Sequence, residues 1–209
     1  MIKTKNLTFQ YNSNGELFHF PDIDLPDEES LLILGKSGIG KTTLLHLIAG
    51  LLQPKSGSVT IDNVSLQTLK NKKLDQFIGK HIGLVFQKNY ANRSLNVIEN
   101  LQARLYFSKQ KQNKSHIENL LKTLNIIECK TKKINELSEG QLQRLGIALS
   151  VVHQPKVILA DEPTASLDDD NCKIVLQLLL QQSKLNNANL IVITHDQRVK
   201  PMFKNILEL

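Results

Sequence analysis

The feature that most restricts this chain is an octapeptide, Gly35-Lys36-Ser37-Gly38-Ile39-Gly40-Lys41-Thr42, set between an unbroken apolar run and a helical pattern. Ser30-Leu31-Leu32-Ile33-Leu34 reads as a strand buried on both faces, because a half-exposed strand would alternate. Residues 44–52 then place apolar side chains at helical spacing and stop near Pro54. Joining that strand to that helix through glycines makes a concave loop. Glycine permits the turn, successive N–H groups point inward, and the helix N-terminus adds partial positive charge. The pattern G-x-x-x-x-G-K-[ST] therefore predicts a cradle for phosphate, with Lys41 reaching the β- and γ-phosphates of a nucleotide and Thr42 holding Mg²⁺ by its hydroxyl.

The rest of the chain supplies an α/β frame for that unit. Residues 2–9 and 17–25 alternate, with a turn at Asn12-Ser13-Asn14-Gly15 between them, and residues 58–62 and 81–86 are further strand candidates. From about residue 87 to 135 strand signals vanish and two helical patterns occupy residues 97–107 and 117–127, which reads as a helical insertion. A helix over 140–152, a strand over 156–160, a helix over 169–185 and a strand over 188–194 follow. That alternation predicts a mostly parallel core sheet flanked by helices. The expected organisation is one domain over 1–209, with a core at about 1–87 and 136–209 and a helical subdomain at about 88–135.

Composition excludes several function classes. No apolar stretch reaches the eighteen or so residues that a membrane span needs, and the N-terminus lacks the apolar core of a signal peptide. The expected location is cytoplasmic, with contact to a membrane only through a partner. The two cysteines, Cys129 and Cys172, have no CxxC or CxxH spacing and read as ordinary thiols. The scattered histidines suggest no metal site built from protein ligands alone. A net charge of +6 favours anionic surroundings, and lysines cluster at Lys70, Lys72 and Lys73, at Lys109, Lys111 and Lys114, and at Lys130, Lys132 and Lys133. Aromatic residues are only 5% of the chain, too few to interleave with those lysines as base-stacking platforms, so solvated helix ends and loops explain them better. The same charge suits a surface near anionic lipid headgroups.

Val157-Ile158-Leu159-Ala160-Asp161-Glu162 completes the phosphate chemistry. An apolar strand ending in a carboxylate puts Asp161 at the C-terminal edge of the sheet, where α/β proteins bind ligands. Asp161 would support Mg²⁺, and Glu162 would polarise the attacking water as general base.

With these residues in order, the chain resembles the nucleotide-binding domain of ABC transporters over nearly its whole length. The resemblance implies an ABC-type P-loop NTPase fold with an N-terminal antiparallel β subdomain and a helical insertion. It also implies ATP and Mg²⁺ as cofactors. Leu137-Ser138-Glu139-Gly140-Gln141 resembles the family signature, which opens a helix and closes over the γ-phosphate held by the opposite subunit. Gln87 matches the Q-loop glutamine that contacts metal and water. Ser166-Leu167-Asp168 matches the D-loop, and His195 the switch histidine that hydrogen-bonds the γ-phosphate. Tyr11 is the candidate to stack on adenine, with Phe9 as the alternative; Thr43 preserves a hydroxyl where serine is commoner. Glu139 departs from the signature by replacing a glycine.

The resemblance further implies half-sites. Catalytic and metal-binding groups Lys41, Thr42, Gln87, Asp161, Glu162 and His195 come from one subunit; Ser138, Gly140, Gln141 and Asp168 come from a second copy. ATP would join the copies head to tail, and hydrolysis would release them. An integral-membrane permease would dock around residues 89–107, placing the ATPase peripherally on the inner face of the membrane. The short length and Asn96-Val97-Ile98-Glu99-Asn100 resemble the small ATPases of lipoprotein-release, macrolide-export and cell-division systems. Two rivals remain: a scaffold for a cell-wall or division complex without transport, and a soluble ABC-type ATPase acting on nucleic acid. On the phosphate reading, Lys41→Ala should abolish nucleotide binding, measured by titration with a fluorescent ATP analogue; undiminished affinity would count against the cradle.

Overall fold

Two sheets share the chain in the computed structural model, which describes residues 1–13, 15–86, 90–165 and 167–209. Strand β1 (Ile2–Phe9) is the hub of the first, antiparallel sheet, pairing with β2 (Phe18–His19), β3 (Asp24–Leu25) and β5 (Ser56–Ile61). Strand β5 continues into β6 (Val64–Ser65) through Asp62 and Asn63, both at positive φ (50° and 63°), as a two-residue hairpin turn demands. The second sheet is wholly parallel, in the order β10-β4-β9-β8-β7. Its members are β4 (Ser30–Leu34), β7 (Ile82–Val85), β8 (Val157–Asp161), β9 (Asn189–Thr194) and β10 (Asn205–Glu208). The helices are α1 (Lys41–Ile48), α2 (Lys72–His81), α3 (Val97–Phe107), α4 (Lys114–Thr123), α5 (Glu139–Val151) and α6 (Asp169–Leu185).

The continuous apolar runs are buried on both faces, as their lack of alternation implied. Along β4, Leu31 and Ile33 join one apolar cluster while Leu32 and Leu34 join the other. The same division separates Val157 and Leu159 from Ile158 and Ala160, and Ile191 and Ile193 from Leu190 and Val192. One cluster is completed by α1 and the antiparallel sheet, the other by α3, α4, α5 and α6. The helical insertion is therefore welded to the sheet by Val97, Leu101, Leu105, Ile117 and Leu121, all within 2% of full burial. Asn96 starts α3 with a reciprocal capping box to Glu99, which satisfies two backbone donors that the helix itself cannot.

Several boundaries differ from the sequence reading, each for a local reason. The expected strand over 17–25 is two short pieces, because Pro21 and Pro26 cannot donate to a ladder. Helix α1 spans Lys41–Ile48 rather than 44–52; Gly50 at φ 71° ends its last turn. The second insertion helix ends at Thr123, and Ile127–Cys129 forms a separate short turn. Helix α2 was not anticipated. It buries no residue fully, and its core-facing side, Leu74, Phe77 and Ile78, is short and only partly buried among lysines. Strand β10 was missed too; it adds to the sheet edge through Asn205 to Glu208 paired with Leu31 to Leu34. Asn14, in the expected first turn, lies outside the described residues.

Gly83 locks α5 onto β7. A Cβ there would lie 2.0 Å from the Ser150 carbonyl oxygen and 3.1 Å from Pro155 Cγ. Gly83→Ala should therefore force helix and strand apart and cost about 3 kcal/mol of stability, read from the urea midpoint. A midpoint equal to wild type would contradict this contact.

Candidate functional site

Parallel register fixes the site before any side chain is considered. Leu34 pairs with Thr194 across β4 and β9, and Asp161 pairs with Ile193 across β8 and β9. Three strands thus end in one row, and the segments that follow them, starting at Gly35, Glu162 and His195, leave the same edge of the sheet. Ligands bind at that edge in open α/β sheets.

The loop from residue 35 to 42 has the conformation that its glycines permit. Gly38 and Gly40 have φ of 84° and 103°, a region costly to other residues. A Cβ at Gly40 would also press on Phe18 Cδ1 at 3.0 Å and Phe20 Cε1 at 3.2 Å. Lys36, Ser37 and Ile39 form the exposed rim of this loop, and Gly35 follows β4 directly. Lys41 is 6% exposed. Its ammonium donates to the Gly35 and Lys36 carbonyls at 2.9 and 3.1 Å and stands 3.6 Å from Glu162 Oε1. A buried ammonium needs such partners; the loop's carbonyls and one carboxylate satisfy it.

The carboxylates are held differently. Asp161 is pushed above its ordinary pKa by burial, with the Glu162 charge adding to the effect and the Thr42 hydroxyl opposing it from 3.3 Å. Burial would raise Glu162 as well. Hydrogen bonds from His195 and Thr194, with the His195 and Lys41 charges, outweigh that and hold it below the ordinary value. Thr194 Oγ1 donates to Glu162 Oε2 at 2.7 Å, and His195 Nδ1 meets Glu162 Oε1 at 2.9 Å. Glu162 has φ of 48°, the left-handed region that a glutamate occupies only when its surroundings fix it there. With Nδ1–H directed at the carboxylate, the His195 ring turns Nε2 away from it; only the protonated ring presents N–H at both positions.

Thr42 and Asp161 offer hydroxyl and carboxylate oxygens suited to a hard cation such as Mg²⁺. No group of three or more His, Cys, Asp or Glu side chains that could hold a metal occurs among the described residues. Such a pair would suit an ion that completes its shell with phosphate and water oxygens.

The aromatic candidates separate by exposure. Phe9 is 9% exposed and stacks edge-on against Tyr11, whereas Tyr11 is 60% exposed. The Tyr11 hydroxyl bonds Thr43 Oγ1 at 2.8 Å, tying the ring to α1. Ser138 begins α5 with its hydroxyl accepting from Gln141 N–H at 3.3 Å, while the Gln141 amide oxygen accepts from Ser138 N–H at 3.0 Å. Glu139, the departure from the signature, is the exposed first residue of that helix. Nothing lies within 4 Å of a Cβ placed on Gly140. Among the described residues, no hydrogen bond or salt bridge links residues 138–141 to the loop 35–42. Asp168 caps α6, accepting from the Asn171 backbone and side chain, each at 2.8 Å, which keeps its carboxyl below the ordinary value. Gln87 and Ser166 lie outside the described residues. Thr194 was not singled out from the sequence, where it is one threonine at a strand end; only the pairing of β8 with β9 puts its hydroxyl on Glu162.

Asp161 is the place where binding chemistry costs stability. Its folded pKa lies above the unfolded value, so the penalty is absent below that unfolded value and grows as pH rises through the interval. Asp161→Asn should melt no lower than wild type at pH 7, with that advantage fading toward pH 4, while metal-dependent turnover falls about 100-fold. Differential scanning fluorimetry beside an ATPase assay tests both; a melting temperature several degrees below wild type at pH 7 would refute the desolvation argument.

Known proteins are similar to this chain in sequence and fold. Residues 19–165 match the family model described as "ABC transporter". The lipoprotein-releasing system ATP-binding protein LolD of Legionella pneumophila (strain Lens) is 34% identical over 199 residues, covering 94% of this chain and 88% of the relative. The protein of the same name from Leptospira interrogans serogroup Icterohaemorrhagiae serovar Lai (strain 56601) is 35% identical over 184 residues, covering 88% and 78%. Among solved structures, the dimeric bacterial ABC transporter cassette MJ0796 has a TM-score of 0.88 at 31% identity, covering 100% of this chain and 94% of that one. A dimeric post-hydrolysis state of the same cassette, bound to ADP and Pi, gives the same TM-score of 0.88.

Proposed function

Because the chain belongs to the ABC transporter family and is an ATPase of that type, we propose that it hydrolyses ATP between two copies of itself to move an integral-membrane partner. The observation that carries this reading is the convergence of Lys41, Thr42, Asp161, Glu162 and His195 at one sheet edge, with no hydrogen bond or ion pair joining residues 138–141 to those five side chains among the described residues. Lys41 exchanges the Gly35 and Lys36 carbonyls for phosphate oxygens, and the N–H groups of residues 36–42 line the phosphate chain. The Tyr11 ring, the exposed one of the two aromatic candidates, stacks on adenine.

Glu162 accepts a proton from the attacking water once Lys41 and His195 turn from its carboxylate to phosphate, since losing those partners removes what depresses its basicity. Mg²⁺, held by Thr42, Asp161 and Gln87, neutralises phosphate charge when bound. His195 donates to the γ-phosphate. The remaining face of the phosphate is met by a second copy through the α5 N-terminus, with Ser138, Gly140 and Gln141, and through Asp168. A glycine in the first turn of a helix, with open space about it, is costly inside one chain; close approach of phosphate accounts for it.

A groove of about 630 Å³ between β7, α2 and α3 supports the membrane partner. Ile78, Leu84, Phe86, Leu95 and Phe107 line it, and Tyr90 and Phe107 are 76% and 75% exposed at its rim. Its walls suit an apolar helix from a permease. No helix among the described residues is long and apolar enough to cross a membrane, so the groove is the means by which the ATPase stays on the inner membrane face. Asn89, the first residue of the docking region expected from sequence, lies outside the described residues. Lipid-modified proteins are the cargo class, following the lipoprotein-releasing relatives.

Glu162→Gln should keep ATP affinity, lower turnover about 1000-fold and accumulate an ATP-bound dimer in size-exclusion chromatography. Full turnover by that variant would sink the base assignment, and a monomer at saturating ATP would sink the shared site.

A further inference from the structure

Arg198 lies three residues past His195, in the turn Gln197–Met202, and its guanidinium faces two loops at once. Toward its own loop it forks onto Asp196, with Nε 2.9 and 3.1 Å from the two carboxylate oxygens and Nη2 2.7 Å from Oδ2. Toward the loop before α6, Nη1 donates to the Asp169 carboxylate and Nη2 to the Leu167 carbonyl at 3.4 Å. Leu167 and Asp169 flank Asp168. Inward from Asp196, its N–H donates to Thr194 Oγ1 at 3.0 Å, and that hydroxyl donates to Glu162 Oε2 at 2.7 Å. Polar contacts therefore run without a break from residues 167–169 to the Glu162 carboxylate.

We propose that Arg198 is a positioning residue that transmits the placement of residues 167–169 to Glu162, so that arrival of a second copy at that loop sets the base. This rests on the reading above in two respects: Glu162 as base, and a second copy meeting Asp168. The planar fork of arginine is what the geometry uses, since one guanidinium satisfies two carboxylates and a carbonyl at fixed angles, and an ammonium cannot. The Glu162 carboxylate accepts from the Thr194 hydroxyl and the His195 N–H, so a shift of Asp196 and Thr194 reaches it directly. The fork onto Asp196, whose side chain is 15% exposed, anchors the guanidinium; stability does not account for the arm to Asp169. Arg198 and Asp169 side chains are 46% and 73% exposed, and pairs so exposed contribute little to folding.

Steady-state ATPase of the purified chain tests this with Arg198→Ala, Arg198→Lys, Asp169→Asn and the Arg198→Ala/Asp169→Asn double variant. Arg198→Ala should lower kcat about tenfold, with KM for ATP and the melting temperature near wild type. Arg198→Lys should recover only part of the loss. Asp169→Asn should show a similar loss, and combining it with Arg198→Ala should add less than about twofold, because both cut one path. Wild-type kcat in Arg198→Ala, or losses that multiply in the double variant, would overturn the proposal. Should Arg198→Ala melt early, Asp169→Asn, which keeps the Arg198–Asp196 fork, decides alone. Failure of the underlying reading shows separately, as an active Glu162→Gln.

Discussion

Everything at the site depends on the parallel pairing of β4, β9 and β8. Because Leu34 stands opposite Thr194 and Asp161 opposite Ile193, the chain leaves three strands at one level. The phosphate loop, the carboxylate pair and the histidine then need no long side chains to meet. The pairing is held by apolar side chains alternating into two clusters, one on each face of the sheet. A slip by one residue would exchange those faces, so register is fixed by the same burial that stabilises the fold.

Within that frame the charged side chains of the site are paired with one another and with the loop. Lys41 is satisfied by two loop carbonyls and Glu162, and Glu162 by Lys41, His195 and Thr194. These are the contacts that a phosphate oxygen and a water would replace. On the proposed function, basicity would return to Glu162 as nucleotide takes over the cations that now hold its pKa down. Asp161 is the exception: burial lifts its pKa despite the Thr42 hydroxyl, which is what a cation would relieve.

The two helix starts that the proposed function sets against a second copy are built differently. Ser138 and Gln141 close a capping box that stiffens the start of α5 while Gly140 keeps its approach open. The Asp168 carboxylate is engaged by Asn171, so on the proposed function it would act across an interface through the backbone that this cap orders. Arg198 adds a fixed connection between that loop and the interior of the site.

How much of this was legible in the sequence follows from range. Residues 30–42 declare a buried strand, a glycine turn and a helix because each signal is local, and Asp161-Glu162 at the end of an apolar run places a carboxylate pair at a sheet edge. The signature segment and His195 were legible only as strings in a familiar order. Helix α2 escaped because it buries no residue fully and packs only Leu74, Phe77 and Ile78 partly against the core, and β10 because an edge strand owes its identity to its neighbour. The loop that first constrained the chain was determined by sequence alone: glycine spacing fixes its backbone wherever it occurs. That Lys41 rests on Gly35, Lys36 and Glu162, that Thr194 holds the base, and that Tyr11 is exposed where Phe9 is buried were decided by tertiary structure. Those contacts join residues far apart in the chain, and only strand register and burial bring them within bonding distance.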